Sequence, residues 1–192
     1  MKGSLRLGQA FGIGVFVHWS FALLLAYVVL SALFAGAGIA VAFNGLVFVC
    51  AVFACVVLHE FGHSLAARRY GIGTHDITLL PIGGVARLMR MPDDPKQELV
   101  IAIAGPAVNV AIAAMLSLFA VVLGKPPAAE LVGLSSGTAI LYGLIWANAI
   151  LVVFNLIPAF PMDGGRVFRA LVAMRRGMLP ATELAVRVGK FF

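Results

Sequence analysis

The sequence predicts an all-α integral membrane protein with about four transmembrane helices, and three observations support this. Hydrophobic residues make up 62% of the 192 residues and charged residues 11%, whereas a soluble domain averages about 45–50% and about 25%. The mean hydropathy is +1.05. The stretches 7–59, 99–124 and 131–162 contain no Asp, Glu, Lys or Arg, and a spanning helix needs about 20 apolar residues. These values argue against a soluble globular enzyme.

The spans are placed at about 18–35, 40–66, 99–123 and 137–157. The first uncharged stretch is long enough for two helices, and Gly36 and Gly38 predict the turn between them. Two more helices, 164–175 and 180–192, are expected after the last span. We expect one structural unit over residues 1–192.

The positive charges predict that both termini are cytoplasmic. All Lys and Arg residues except Lys125 lie in the N-terminal arm, in the loop between spans two and three, or after the last span. An even number of spans places these three segments on one side of the membrane, and the positive-inside rule assigns that side to the cytoplasm. The net charge of +6 is divided among short blocks, which argues against a nucleic-acid partner.

A short β-strand or hairpin element is expected from the N-terminal arm and the loop 71–97. Residues 74–80 are rich in β-branched and alternating side chains, and a proline followed by Gly83 and Gly84 ends that run. Such a hairpin could pair with the backbone of an extended peptide by strand addition. It could equally form a small sheet with the arm 4–17, and both arrangements are compatible.

The chemistry is expected at the inner end of the second span, where residues 59–63 read HEFGH. On a helix, residues four apart lie one turn above each other, so the imidazoles of His59 and His63 face the same point. Two imidazoles in this arrangement can bind one zinc ion, and Glu60 can act as general base on a water molecule there. Ionisable residues are costly in a bilayer, which favours this site over a polar cluster among the lipid headgroups.

A third metal ligand is expected from Asp163, an acidic residue embedded in apolar sequence. Two prolines and a glycine pair interrupt the helix around it. Non-helical backbone at membrane depth is tolerated only where it is buried in protein or lines a cavity. Asp163 would complete a site of two histidines and one carboxylate, with a position open for water. The alternative is that Asp163 only caps the helix that follows.

Four motifs resemble those of the site-2 protease family of intramembrane zinc metalloproteases. They are LHEFGH at 58–63, LLPIGGVA at 79–86, GPAVN at 105–109 and NLIPAFPMDGGR at 155–166. The resemblance covers nearly the whole chain and is greatest to the compact prokaryotic branch without an inserted PDZ domain, because the outer loop 125–137 is short. It implies a multi-pass protein of the cell membrane, in a prokaryote the inner membrane.

The resemblance also implies an activity and a set of site residues. The activity is hydrolysis of a peptide bond within or near a transmembrane segment of another membrane protein, with one zinc ion per chain. The zinc ligands would be His59, His63 and Asp163. The base would be Glu60, and contacts to the substrate or the developing oxyanion would come from Asn155, Gly83 and Gly84. Asn155 could instead satisfy carbonyls freed at the helix break. Asn109 is interpreted as a helix-packing residue.

Two other functions are compatible with parts of the sequence. A metal transporter would need polar residues along several spans, and spans one and three are almost bare of them. A catalytically inactive relative that acts as a membrane scaffold would be expected to lack Glu60 or a ligand, and all four residues are present.

The expected partners are therefore the lipid bilayer and a transmembrane substrate, such as a membrane-held transcription or sigma factor. Many relatives continue beyond the point where this chain stops, so the sequence leaves open whether the chain is a fragment or a minimal form. Neither the oligomeric state nor the identity of the substrate is indicated.

Overall fold

The computed structural model describes residues 3–124 and 137–189, so the loop 125–136 and the end of the predicted helix 180–192 lie outside the described residues. The described part is mostly helical, with one small sheet. The helices are α1 (Phe21–Phe34), α2 (Ile39–Arg68), α3 (Pro95–Val122), α4 (Gly137–Asn155), α5 (Asp163–Arg176) and α6 (Met178–Gly189). The strands are β1 (Ser4–Ala10), β2 (Ile13–His18), β3 (Thr74–Leu80) and β4 (Gly83–Leu88).

Three of these helices are long and apolar enough to cross a membrane. They are α2 with 31 residues when Arg69 is included, α3 with 28, and α4 with 18 from Thr138 onward. Large apolar side chains on them face outward: Leu118 is 65% exposed and Val153 is 66% exposed. Continuous apolar surface of this kind marks a membrane or protein contact rather than a surface in water. The three helices coincide closely with the predicted spans 40–66, 99–123 and 137–157.

The predicted span 18–35 corresponds to the shorter helix α1, which has 14 residues. The difference arises at its start, because His18 still belongs to β2 and the next two residues form a turn. A helix of this length measures about 21 Å, against a hydrocarbon thickness of about 30 Å. Gly36 and Gly38 have φ of +70° and +83°, which is the left-handed backbone that the predicted turn to α2 requires.

The N-terminal arm and the α2–α3 loop form one four-stranded sheet of order β1-β2-β3-β4, which agrees with the predicted alternative of a small sheet between the arm 4–17 and the loop. β1 and β2 are antiparallel and are joined through Phe11 and Gly12, both with positive φ. β2 pairs with β3 in parallel, from Gly14 opposite Asp76 onward, and β3 pairs with β4 antiparallel. The sheet therefore combines the arm with the loop, and β4 is an edge strand.

Helix α2 lies at the centre of the fold and contacts α1, α3, α4, β3 and β4. Phe61 of α2 packs with Ile13 and Ile77 of the sheet. On the opposite side α3 approaches closely, because a Cβ at Gly62 would lie 2.7 Å from the carbonyl oxygen of Ala104. The residues around the HEFGH motif are therefore held by the sheet on one side and by α3 on the other.

The helix break that the sequence predicts lies between α4 and α5. Residues 156–162 are not helical, and α5 begins at Asp163 and packs against α3. An ion pair joins these two helices: Arg169 Nε donates to Glu98 Oε1 at 3.0 Å, and Glu98 is fully buried. The guanidinium of Arg169 also lies 5.7 Å from the ring centroid of Phe160, in the break itself. These contacts fix the position at which α5 begins.

Candidate active site

The two histidines of the HEFGH motif lie one turn apart on α2 and converge. The distance between His59 Nε2 and His63 Nε2 is 3.0 Å. Both side chains are buried, with 5% and 4% of their surface exposed. The convergence follows from the spacing of four residues, which places both rings on one helix face.

Asp163 completes this cluster from the first residue of α5. Its Oδ2 lies 3.1 Å from Nε2 of each histidine. The helix break brings it there, because α5 begins beside α2 rather than continuing along α4. The N-cap of α5 is Met162, and the carboxylate of Asp163 contacts both imidazoles. The side chain of Asp163 therefore contacts the histidines and does not cap the helix that follows it, which argues against the capping alternative.

The three atoms suit a divalent metal ion. Within the described residues, His59, His63 and Asp163 are the group able to hold one. A tetrahedral zinc ion with ligands at about 2.0–2.1 Å sets neighbouring ligand atoms about 3.3 Å apart, close to the 3.0–3.1 Å observed. Nδ1 of His63 lies 2.7 Å from the carbonyl oxygen of Ile101. A carbonyl only accepts, so this nitrogen carries a proton, and in the neutral ring Nε2 would offer its lone pair to a metal ion.

Gly105 of α3 makes room for the two imidazoles. A Cβ at this position would lie 2.7 Å from His59 Nε2 and closer still to His63 Nε2. Such distances are shorter than van der Waals contact, so any side chain would displace a histidine or α3. A glycine is required here for close approach rather than for backbone freedom.

Glu60 lines the same cavity as the two histidines and forms a hydrogen bond to the sheet. Its Oε2 accepts a hydrogen bond from the backbone N–H of Ala86 in β4, at 3.1 Å. β4 approaches closely at Gly84, where a Cβ would lie 2.9 Å from Glu60 Cγ. The carboxylate is therefore held between α2 and the edge strand.

The seven predicted site residues all line one cavity of about 430 Å³. They are His59, Glu60, His63, Gly83, Gly84, Asn155 and Asp163. Asn155 reaches the cavity from the last residue of α4. The cavity wall is otherwise largely apolar, with side chains such as Val56 and Leu151.

The sequence interpretation missed two contacts behind the cluster. Asn109, interpreted as a helix-packing residue, does bond to another helix through Asn148, but its Oδ1 also lies 2.5 Å from His59 Nδ1. Asn148 was not singled out at all. The sequence did contain a signal for it, because Asn148 is an amide within the uncharged stretch 131–162. Polar side chains in membrane spans are costly and tend to face other protein groups.

Comparison with known proteins identifies the family of this chain. The family model described as Peptidase family M50 matches residues 47–138 and 129–192. The chain belongs to peptidase family M50. This match and the solved structure described below together confirm the resemblance to the site-2 proteases.

Two relatives within this family illustrate the similarity. A zinc metalloprotease of Methanocaldococcus jannaschii is 37% identical over 194 residues, which cover 99% of this chain and 52% of that protein. The solved structure of the site-2 protease from the same organism superposes with a TM-score of 0.70 at 37% identity, covering 98% of this chain and 80% of that one. This M50 chain spans about half the length of the curated relatives it matches.

Proposed function

We propose that residues 1–192 form the catalytic unit of an intramembrane zinc metalloprotease that hydrolyses a peptide bond within or near a transmembrane segment of another membrane protein. The observation that carries the proposal is the convergence of His59, His63 and Asp163 beside Glu60 in one cavity. Two histidines, one carboxylate and an adjacent glutamate form the donor set of a catalytic zinc site. The M50 family and the zinc metalloprotease among its relatives support the same activity.

The residues divide the chemistry among them. His59, His63 and Asp163 would hold the zinc ion, which would supply a Lewis acid for the scissile carbonyl and would lower the pKa of a water molecule toward about 7. Glu60 accepts a proton from the attacking water and returns one to the leaving amine, so that one water is consumed for each peptide bond broken. Asn155 donates to the substrate carbonyl as negative charge develops on its oxygen.

The edge strand β4 is proposed to hold the substrate in an extended conformation. A helical peptide hides its carbonyls in its own hydrogen bonds, so hydrolysis requires that the segment unwinds. β4 borders the cavity through Gly83 and Gly84, and an edge strand can offer backbone groups to a further strand. The N–H of Ala86 already donates to Glu60, so pairing with the substrate would use the part of the strand near Gly83 and Gly84. At Gly83 no atom lies within 4 Å of an added Cβ, so space for a further backbone remains beside this end of the strand.

The proposed topology has four crossings, with α1 as the fourth and both termini in the cytoplasm. The sheet supports this arrangement, because β2 precedes α1 and pairs with β3, which follows α2. The chain therefore leaves the sheet at the start of α1 and returns to it after α2, as it would if the two helices formed a transmembrane hairpin. Hydrolysis near the sheet would release a product to the cytosol, which suits regulated release of a membrane-held transcription or sigma factor.

Zinc analysis combined with a cleavage assay tests the proposed function. The detergent-purified chain should contain about one zinc ion, and His59→Ala, His63→Ala and Asp163→Ala should each remove it. His75→Ala is the matched control, because His75 is exposed on β3 outside the cavity. Glu60→Gln should keep zinc but fail to cleave a transmembrane peptide in the same detergent.

Two results would overturn parts of the proposal. Zinc retained by Asp163→Ala would remove the third ligand. A wild-type chain that holds zinc but cleaves no transmembrane peptide would favour the inactive membrane scaffold.

A further inference from the structure

A chain of hydrogen bonds runs from a backbone carbonyl of α4 to the metal-facing histidine of α2. Asn148 Nδ2 lies 2.8 Å from the carbonyl oxygen of Leu144, and Asn148 Oδ1 lies 2.8 Å from Asn109 Nδ2. Asn109 Oδ1 lies 2.5 Å from His59 Nδ1. Both asparagines are fully buried, so each amide depends on these partners for its hydrogen bonds.

The direction of this chain is set at the end distant from the metal site. The carbonyl oxygen of Leu144 can only accept, so the group of Asn148 that faces it must be the NH₂. The second neighbour of that NH₂ is the thiol of Cys55, with Sγ at 3.5 Å, a weak acceptor. Oδ1 of Asn148 is therefore turned toward α3.

Each later step follows from the one before it. Oδ1 of Asn148 accepts, so Asn109 must present its NH₂ to it. Oδ1 of Asn109 is then left for His59, and because it also accepts, Nδ1 of His59 must carry the ring proton. In the neutral ring that a metal ligand requires, Nε2 of His59 is then the unprotonated nitrogen, and it faces Asp163 and His63. Reversing both amides would set Asn148 Oδ1 against the Leu144 oxygen, a repulsion that no water relieves in a buried site.

We infer that Asn148 is a positioning residue that fixes the tautomer of His59 from α4, two side chains away from the metal. The role rests on the proposed function, since a zinc ligand needs a free Nε2. His63 does not depend on Asn148, because the carbonyl of Ile101 orients its ring directly. Asn148 also stands seven residues before Asn155, on the same face of α4, so the bond to Asn109 holds that face toward the cavity.

The difference between the two histidines provides the test. In the zinc-loaded, full-length chain labelled with ¹⁵N-histidine, we expect slowly exchanging Nδ1–H signals from both His59 and His63. Asn148→Leu removes both hydrogen-bonding groups at similar volume. We expect faster exchange at His59 alone and a zinc dissociation constant raised about ten- to a hundredfold by chelator competition, the range for lost outer partners of a ligand.

Two further variants separate polarity from packing. Asn148→Thr keeps a hydroxyl that can donate to the Leu144 carbonyl four residues earlier and accept from Asn109, so we expect values between those of wild type and Asn148→Leu. Cys55→Ala removes only the weak sulfur contact and should match wild type. A general loosening of the fold would accelerate exchange at both histidines.

Three outcomes would overturn the inference. They are unchanged zinc affinity in Asn148→Leu, equal acceleration at both histidines, and absence of a protected Nδ1–H at His59 in wild type. The measurement of the His59 Nδ1–H in wild type tests the inference even if Asn148→Leu does not fold. If the wild-type chain binds no zinc, the proposed function fails instead, and the ring proton of His59 in that metal-free chain still tests the direction of the hydrogen bonds.

Discussion

The backbone N–H of Ala86 donates a hydrogen bond to Oε2 of Glu60, with nitrogen and oxygen 3.1 Å apart. Ala86 belongs to the edge strand, whose inner side pairs with β3, so this N–H points away from the sheet toward α2. The carboxylate proposed as the base is therefore oriented by the sheet, while the proposed ligands are oriented by helices. Because different elements orient Glu60 and the metal ligands, we expect that a substitution can change the position of the base without loss of the metal, and the reverse.

Replacing Ala86 by proline should slow hydrolysis without loss of zinc. Proline removes the N–H that Glu60 accepts, and an edge strand tolerates it where the N–H faces away from the ladder. One hydrogen bond to a charged group is worth about 1.5–3 kcal/mol, so a cleavage rate roughly ten- to a hundredfold lower is expected in the transmembrane-peptide assay. Leu7→Ala, on β1 outside the cavity and with an exposed side chain, should cleave normally. Parallel loss of zinc would show that the two supports are not separate.

Replacing Gly105 by alanine should remove the metal while the helices persist. The added Cβ would overlap both imidazole Nε2 atoms, so either the rings rotate or α3 retreats. We expect zinc content to fall to the level of His59→Ala, with helical circular dichroism retained. Gly8→Ala provides the control, because no atom lies within 4 Å of a Cβ there. An alanine variant with full zinc would mean that α3 can yield at this point without cost to the site.

The sequence predicts those parts of the site that depend on residues close to one another along the chain. His59 and His63 converge because they are four residues apart on one helix, and the prolines and glycines around Asp163 mark the helix break. The contact of Asn109 with Asn148 and that of Glu98 with Arg169 join residues 39 and 71 positions apart. Such pairs depend on how helices rotate against each other, which hydrophobic periodicity does not specify in an all-apolar span. The start of α1 was misplaced for a related reason, since β2 is also apolar.

The buried ion pair between Glu98 and Arg169 should be costly to break from one side. Glu98 has no exposure, so Arg169→Ala leaves a carboxylate without its counter-ion, a loss of about 3–5 kcal/mol. We expect a lower unfolding temperature in detergent and weaker zinc retention, because α5 carries Asp163. The double variant Glu98→Met, Arg169→Met removes both charges and should recover most of the stability.

The matched control for this pair is exposed. Arg90 lies 3.2 Å from Asp93, with the two side chains 53% and 96% exposed, and such surface pairs contribute about 0–1 kcal/mol. Arg90→Ala should therefore leave the unfolding temperature nearly unchanged. An equally small effect of Arg169→Ala would mean that water reaches Glu98 in the folded chain.

The sheet should lose stability in acid through Asp76. The hydrogen bond from Arg87 in β4, outside the spans, lowers the pKa of the Asp76 carboxyl in β3 below its ordinary value, against the opposing effect of burial. A carboxyl whose pKa is lowered by folding stabilises the fold above its unfolded pKa of about 3.9 and loses that contribution as the pH falls through the folded value. The unfolding temperature of wild type should therefore fall between about pH 5 and pH 3. Asp76→Asn should lower it at neutral pH and flatten this decline, whereas Asp93→Asn, at an exposed carboxylate, should keep the wild-type profile. If the unfolding temperature of Asp76→Asn fell with pH as steeply as that of wild type, the acid sensitivity would belong to another group.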